Sequence, residues 1–121
     1  TLLQPEYLSM LASHGVAHVF NSWTKMPKLG EQMGIPGSFT TDFTVARLLL
    51  RPGRTYEQAV STFSPYKTAQ DPNAGVRQAA KELIMKAKGG RKPSFVFVNN
   101  RLEGNAPTTI AAILGAEEKK N

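Results

Sequence analysis

Between positions 99 and 105 the chain places Asn99, Asn100, Arg101, Glu103 and Asn105 directly after the apolar run Phe95-Val96-Phe97-Val98. These residues supply amide donors and acceptors, one fixed cation and one carboxylate. Ala106-Pro107 then reads as a helix start, and the first amides of a helix attract anions. The chemistry such a set supports is recognition of a phosphate or carboxylate, with Glu103 as the only nearby acid or base candidate. A structural reading stays open beside it, in which Asn105 caps the helix and Glu103 favours its positive end.

Two further groups belong with this loop. Arg51 and Arg54, in Arg51-Pro52-Gly53-Arg54, follow a second apolar run at residues 43–50. Arg47 interrupts that run, and a period of two puts it on the same face as Phe43 and Val45. A guanidinium among apolar residues needs a carboxylate, water or a ligand. Asn21, Ser22 and Trp23 end an earlier run, and Trp23 is placed either to stack on a sugar or base or to pack at the core or rim. The candidate ligand-binding set is therefore Trp23, Arg47, Arg51, Arg54, Asn99, Asn100, Arg101 and Asn105.

Other chemistries find less support. His14 and His18 are four residues apart but separated by Gly15, so they do not share a helical face, and the sequence implies no metal and no cofactor. Asp42 and Asp71 sit beside turns, where capping or turn roles are expected. There is no Gly-rich dinucleotide motif, phosphate-binding P-loop or serine elbow. With 0 cysteines, disulfides, thiolate catalysis and cysteine-ligated zinc are excluded. The 121 residues, 40% hydrophobic and 20% charged, fit one globular domain over 1–121. No apolar run is long enough for a membrane span and no export signal opens the chain, so a cytoplasmic protein with no membrane partner is expected. A net charge of +6 favours encounters with phosphates, nucleic acid or acidic surfaces, and Lys86, Lys88, Arg91 and Lys92 cluster near a double glycine.

The elements that must position these residues are legible from periodicity and punctuation. A short helix over 5–14, with Leu8, Leu11 and Ala12 on one face, ends at Gly15. A strand over 16–23 follows, then a helical segment over 25–34 and the strand over 43–50. Thr55 and Gln58 fit a capping box, so a helix starts there and ends near Ser64-Pro65. From Asn73, residues Val76, Ala79, Ala80, Leu83, Ile84 and Ala87 repeat as one buried helical face. Gly89-Gly90 stops that helix, Pro93 opens a strand over 94–98, and a last helix from Asn105 is expected to bury Ile110, Ile113 and Leu114. The tail over 117–121 reads as frayed. This order implies α/β architecture: parallel strands joined by right-handed crossovers and covered on both faces. Three strands alone leave open edges and one poorly covered face, so self-association or further strands are expected to complete the sheet.

Tyr7-Leu8, His14-Gly15-Val16-Ala17, Phe43-Thr44-Val45-Ala46-Arg47-Leu48 and Phe95-Val96-Phe97-Val98-Asn99-Asn100 with Gly104-Asn105-Ala106 resemble the carboxyl-terminal part of the YecE-like family (domain of unknown function 72). Its members are bacterial and archaeal proteins of unknown function with a TIM-like barrel. The resemblance implies the last three β/α units of a TIM-like (β/α)8 barrel, incomplete as a lone chain and lacking an N-terminal half-barrel. It also implies a pocket at the strand C-termini. Arg47, Asn99 and Asn100 match the family pattern, while Leu49 stands where the family usually carries histidine, so an imidazole acid or base of the relatives is missing here. Three functions are carried forward: a site for phosphate or sugar phosphate, a basic nucleic-acid-binding surface, and a structural half-barrel without activity of its own.

Overall fold

Apolar runs bounded by turn residues become β1 (Val19–Ser22), β2 (Thr44–Leu48) and β3 (Ser94–Val98) in a computed structural model of the chain, which describes residues 3–115. The strands pair in parallel in the order β1-β2-β3, with Val19, Val45 and Phe95 in one row and Asn21, Arg47 and Phe97 in the next. Helices α1 (Pro5–Ser13), α2 (Leu29–Met33), α3 (Tyr56–Phe63), α4 (Ala74–Gly89), α5 (Asn100–Glu103) and α6 (Ala106–Ile113) fill the connections. Local signals explain most of their starts. Thr55 accepts from the Gln58 amide while the Gln58 side chain accepts from the Thr55 amide, completing the capping box of α3. Asn73 accepts from the Val76 amide at the start of α4.

The core occupies one face of the sheet. Phe20, Ala46 and Leu48, with Val96 and Val98 beside them, pack against Leu29 of α2, Val76, Ala79, Ala80 and Leu83 of α4, and Ile113 of α6. A smaller cluster joins Leu50 to Ala59 and Phe63 of α3, with Leu49 against it. The opposite face carries Val19, Asn21, Val45, Arg47, Phe95 and Phe97, and there Arg47, Phe95 and Phe97 are exposed. Coverage on both faces is thus not met, while the one poorly covered face expected of three strands is, since α2, α4 and α6 all pack on the side of Phe20, Ala46 and Leu48.

The two sheet edges also differ. At β1 the buried Gln32 side chain donates to the Asn21 carbonyl (2.8 Å) and accepts from the Asn21 amide (3.3 Å). One side-chain amide thereby takes both backbone groups that a further strand would use at Asn21. The edge of β3 has no strand partner among the described residues.

Several expected elements are shorter. The strands over 16–23 and 43–50 contract to four and five residues, and the helical segment over 25–34 contracts to Leu29–Met33. Along α6, Ile113 is buried as expected, but Ile110 and Leu114 are exposed, as is Ala12 on α1. The tail over 117–121 lies outside the described residues.

Candidate functional site

The C-terminal ends of the three strands open onto three loops that hydrogen bonds tie together. Thr24 donates to the Arg54 carbonyl (2.9 Å), joining the loop after β1 to that after β2. Arg54 donates to the Leu102 carbonyl, and the Gln70 and Asp71 amides donate to the Glu103 carbonyl, joining the loop after β2 and the segment before α4 to α5. Sequence reasoning missed α5. The local signal for it is Asn99, whose side chain accepts from the Arg101 amide (2.9 Å) and caps the turn.

Most polar groups of residues 99–105 are engaged in holding this turn. Asn100 accepts from the Ala106 amide (2.8 Å), while Asn105 caps α6 by accepting from the Thr108 amide (2.9 Å) and donates to the Tyr66 carbonyl (2.8 Å). Gly104 has φ +118, and a Cβ there would meet the Thr68 carbonyl oxygen at 2.6 Å, so the loop over 66–73 closes directly on this glycine.

Glu103 is fully buried. Its carboxylate accepts from Arg77 Nη2 (2.8 Å) and Nε (2.9 and 3.2 Å), the Asn73 amide (2.6 Å) and the Thr109 hydroxyl (2.6 Å). Burial is the largest single influence and opposes ionisation, yet the bonds from Arg77, Asn73 and Thr109 together outweigh it and hold the carboxyl below its ordinary range. The carboxylate therefore binds the starts of α4 and α6 to α5 and turns no face to solvent.

The arginines are placed differently. Arg51 and Arg54 both pair with Asp71, Arg51 at 3.3 Å, and Arg54 also lies over the Phe63 ring at 4.8 Å. Asp71, expected in a turn role, is an ion-pair partner instead. The Arg54 hydrogen bond chiefly, then the charges of Arg51 and Arg54, hold its carboxyl below the usual range against the opposing effect of burial. Two cations thus share one anion. The Arg51 Nε has no partner and is shielded from solvent, while the side chain as a whole is 39% exposed.

Arg51 lines a cleft of about 660 Å³ together with Ser22, Lys28, Glu31, Asn73 and Gly75, between α2 and the start of α4. Arg101 stands in a separate hollow of about 330 Å³ with Tyr66, Asn99 and Asn100. It stacks on Tyr56 at 4.3 Å and donates to the Tyr56 hydroxyl (3.1 Å), its Nε likewise unpartnered. Trp23 is partly exposed at the end of β1, with Lys25 at 5.9 Å from its ring centroid. Arg47 stands on the open face, in the row of Asn21 and Phe97, and makes no hydrogen bond or ion pair among the described residues. The expected set is therefore divided: Arg51 lines the cleft, Asn99, Asn100 and Arg101 line the hollow, Arg47 stands on the open face, and Trp23, Arg54 and Asn105 line neither the cleft nor the hollow.

The histidines are apart: His14 ends α1 with Nδ1 at 2.9 Å from the Met10 carbonyl, whereas His18 is buried edge-on to Phe20. Burial, offset in part by Gln32, lowers the His18 pKa. Among the described residues no three His, Asp or Glu side chains gather as a metal site would require, and no helix is long and apolar enough to cross a membrane.

Compared with family models, curated proteins and solved structures, the chain matches none of them.

Proposed function

We propose that the strand C-termini bind the phosphate or carboxylate of a small molecule, and that the chain forms three consecutive units of a YecE-like, TIM-like barrel. The observation that carries the ligand reading is the cation excess around Asp71. Arg51 and Arg54 share that carboxylate, and Arg51, 39% exposed, lines the 660 Å³ cleft with its guanidinium held to Asp71 at 3.3 Å. A guanidinium paired by one long bond keeps donors for an oxyanion. Lys28 adds a second cation at the same cleft, with Glu31 on its rim. The Arg101 hollow, separate from this cleft, offers a further cation beside the Asn99 and Asn100 side chains. Support for the barrel comes from sequential parallel order, a core on one face only, and layered rows on the other, as the inside of a barrel requires.

Glu103 takes no part in this reading as an acid or base, because its oxygens are spent on Arg77, Asn73 and Thr109. With Leu49 packed against α3 rather than an imidazole in its place, the site is read as binding, with no reaction assigned.

The test is a titration with inorganic phosphate and with glucose 6-phosphate, followed by nuclear magnetic resonance of arginine Nε–H groups. Saturable shifts at Arg51, lost in Arg51→Ala and retained in Arg91→Ala, are expected. Unchanged binding in both Arg51→Ala and Arg101→Ala would sink the reading. Nucleic-acid binding is favoured by a different observation, the gathering of Lys86, Lys88, Arg91 and Lys92 at the opposite end of the sheet, before β3. Contact with several phosphates there would weaken steeply with salt and depend on Lys88 and Arg91 rather than Arg51.

A further inference from the structure

We infer that the free edge of β3, with the apolar surface beside it, is the interface for a second copy of this chain, joined β3 to β3 in antiparallel sense about a two-fold axis. The inference rests on the observed three-stranded sheet and not on the anion site, and it takes the edge that a further barrel strand would use, so it competes with the barrel reading. The Thr44 amide donates to the Pro93 carbonyl and the Asn99 amide donates to the Leu48 carbonyl, so the odd-numbered backbone groups of β3 face β2. By alternation, the amides and carbonyls of Ser94, Val96 and Val98 point away from the sheet, where no strand meets them. At the other edge Gln32 already occupies both backbone groups of Asn21. The sheet is therefore open to extension chiefly on one side, and a two-fold contact uses only that side.

Side chains near this edge favour a copy of the same surface. Phe95 is 50% and Phe97 59% exposed on one face, while Ile110 is 42% and Leu114 63% exposed on α6, which packs on α4, α5 and β3. No charged residue lies in β3 or among these four, so a two-fold brings neutral groups together. Arg47 sits one strand inwards, and the two copies of it stand three strand spacings of about 4.8 Å apart. Taking about 150–250 Å² for an aromatic side chain, the exposed halves of Phe95 and Phe97 in both copies bury on the order of 400 Å², to which Ile110 and Leu114 add. The paired backbone adds to this and brings the contact towards the lower end, about 1,200 Å², of specific interfaces. The expected dimer is weak and concentration-dependent. Antiparallel pairing also sets Lys92 of one copy towards Arg101 of the other, so salt, by screening these cations, strengthens the dimer.

Sedimentation equilibrium across a concentration series, at low and high salt, tests this. The expected result is reversible conversion of the 13.2 kDa chain to twice its mass, favoured by salt. Phe97→Lys weakens association by about tenfold or more, and Met10→Lys, on exposed α1, leaves it unchanged. Hydrogen exchange on the unaltered chain provides a second readout: the Val96 and Val98 amides gain protection with concentration, and the Asn21 amide does not. A monomer throughout overturns the inference, as do protection gained at Asn21, open-ended assembly through both edges, and equal effects of the two variants. None of these outcomes bears on phosphate binding at Arg51.

Discussion

Two ion-pair clusters stand at the C-terminal side of the sheet, and they use charge differently. Around Glu103 one buried carboxylate meets Arg77, a backbone amide and a hydroxyl, so its oxygens are satisfied within the protein. Around Asp71 one carboxylate serves two guanidiniums, and Arg51 and Asp71 remain more than a third exposed. A satisfied buried cluster fixes geometry, because breaking it strands charge away from water. An exposed cluster with surplus cation costs little to rearrange and keeps donors for something else.

The sharpest way to break the comparison is Glu103→Ala. It removes the Glu103 carboxylate from Arg77 and from the Asn73 amide, and a loss of about 3–5 kcal/mol is expected in urea unfolding. Gly104→Ala comes next, at roughly 1–3 kcal/mol, because the new Cβ meets the Thr68 oxygen at a left-handed φ. Acid provides a third test. The Glu103 pKa is lowered by folding, so the native state binds fewer protons than the unfolded chain. Its contribution is complete above the unfolded value of about 4.3 and is lost as pH falls through the folded one. Stability should decline in that acid window, and Glu103→Gln should flatten the decline; an equally steep profile in the variant would assign it to other groups. The smallest effect belongs to Asp71→Asn, expected to change stability by no more than about 1 kcal/mol. The same change releases Arg51 and Arg54, so phosphate should bind more tightly. If Asp71→Asn proves as destabilising as Glu103→Ala, the two clusters are not different in kind.

The fold was largely readable where residue type settles local structure. Thr55 with Gln58, Asn73, the stripe from Val76 to Ala87, and Pro93 ahead of β3 each mark an element through backbone chemistry that needs no distant partner. Ile110 and Leu114 were misplaced because periodicity identifies an apolar stripe but not its width, and nothing covers the outer side of α6 among the described residues. The four-residue α5 escaped notice because a single turn carries no periodicity, and only the Asn99 side chain marks it.

By itself the sequence determined that the chain is α/β with parallel strands, where its major helices begin, and that arginines and asparagines gather where strands end. Those are consequences of period, capping and strand order, which act over a few residues. Only the tertiary structure decided how those polar groups are used. Glu103 became a structural tie because Arg77 lies 26 positions away in the chain yet 2.8 Å away in space, and Arg51 kept spare donors because Arg54 claims the same Asp71. Gln32 takes the edge-facing backbone groups of Asn21 and β3 leaves its own open for the same reason: the partners of a polar group are set by packing between distant segments, which local patterns do not encode.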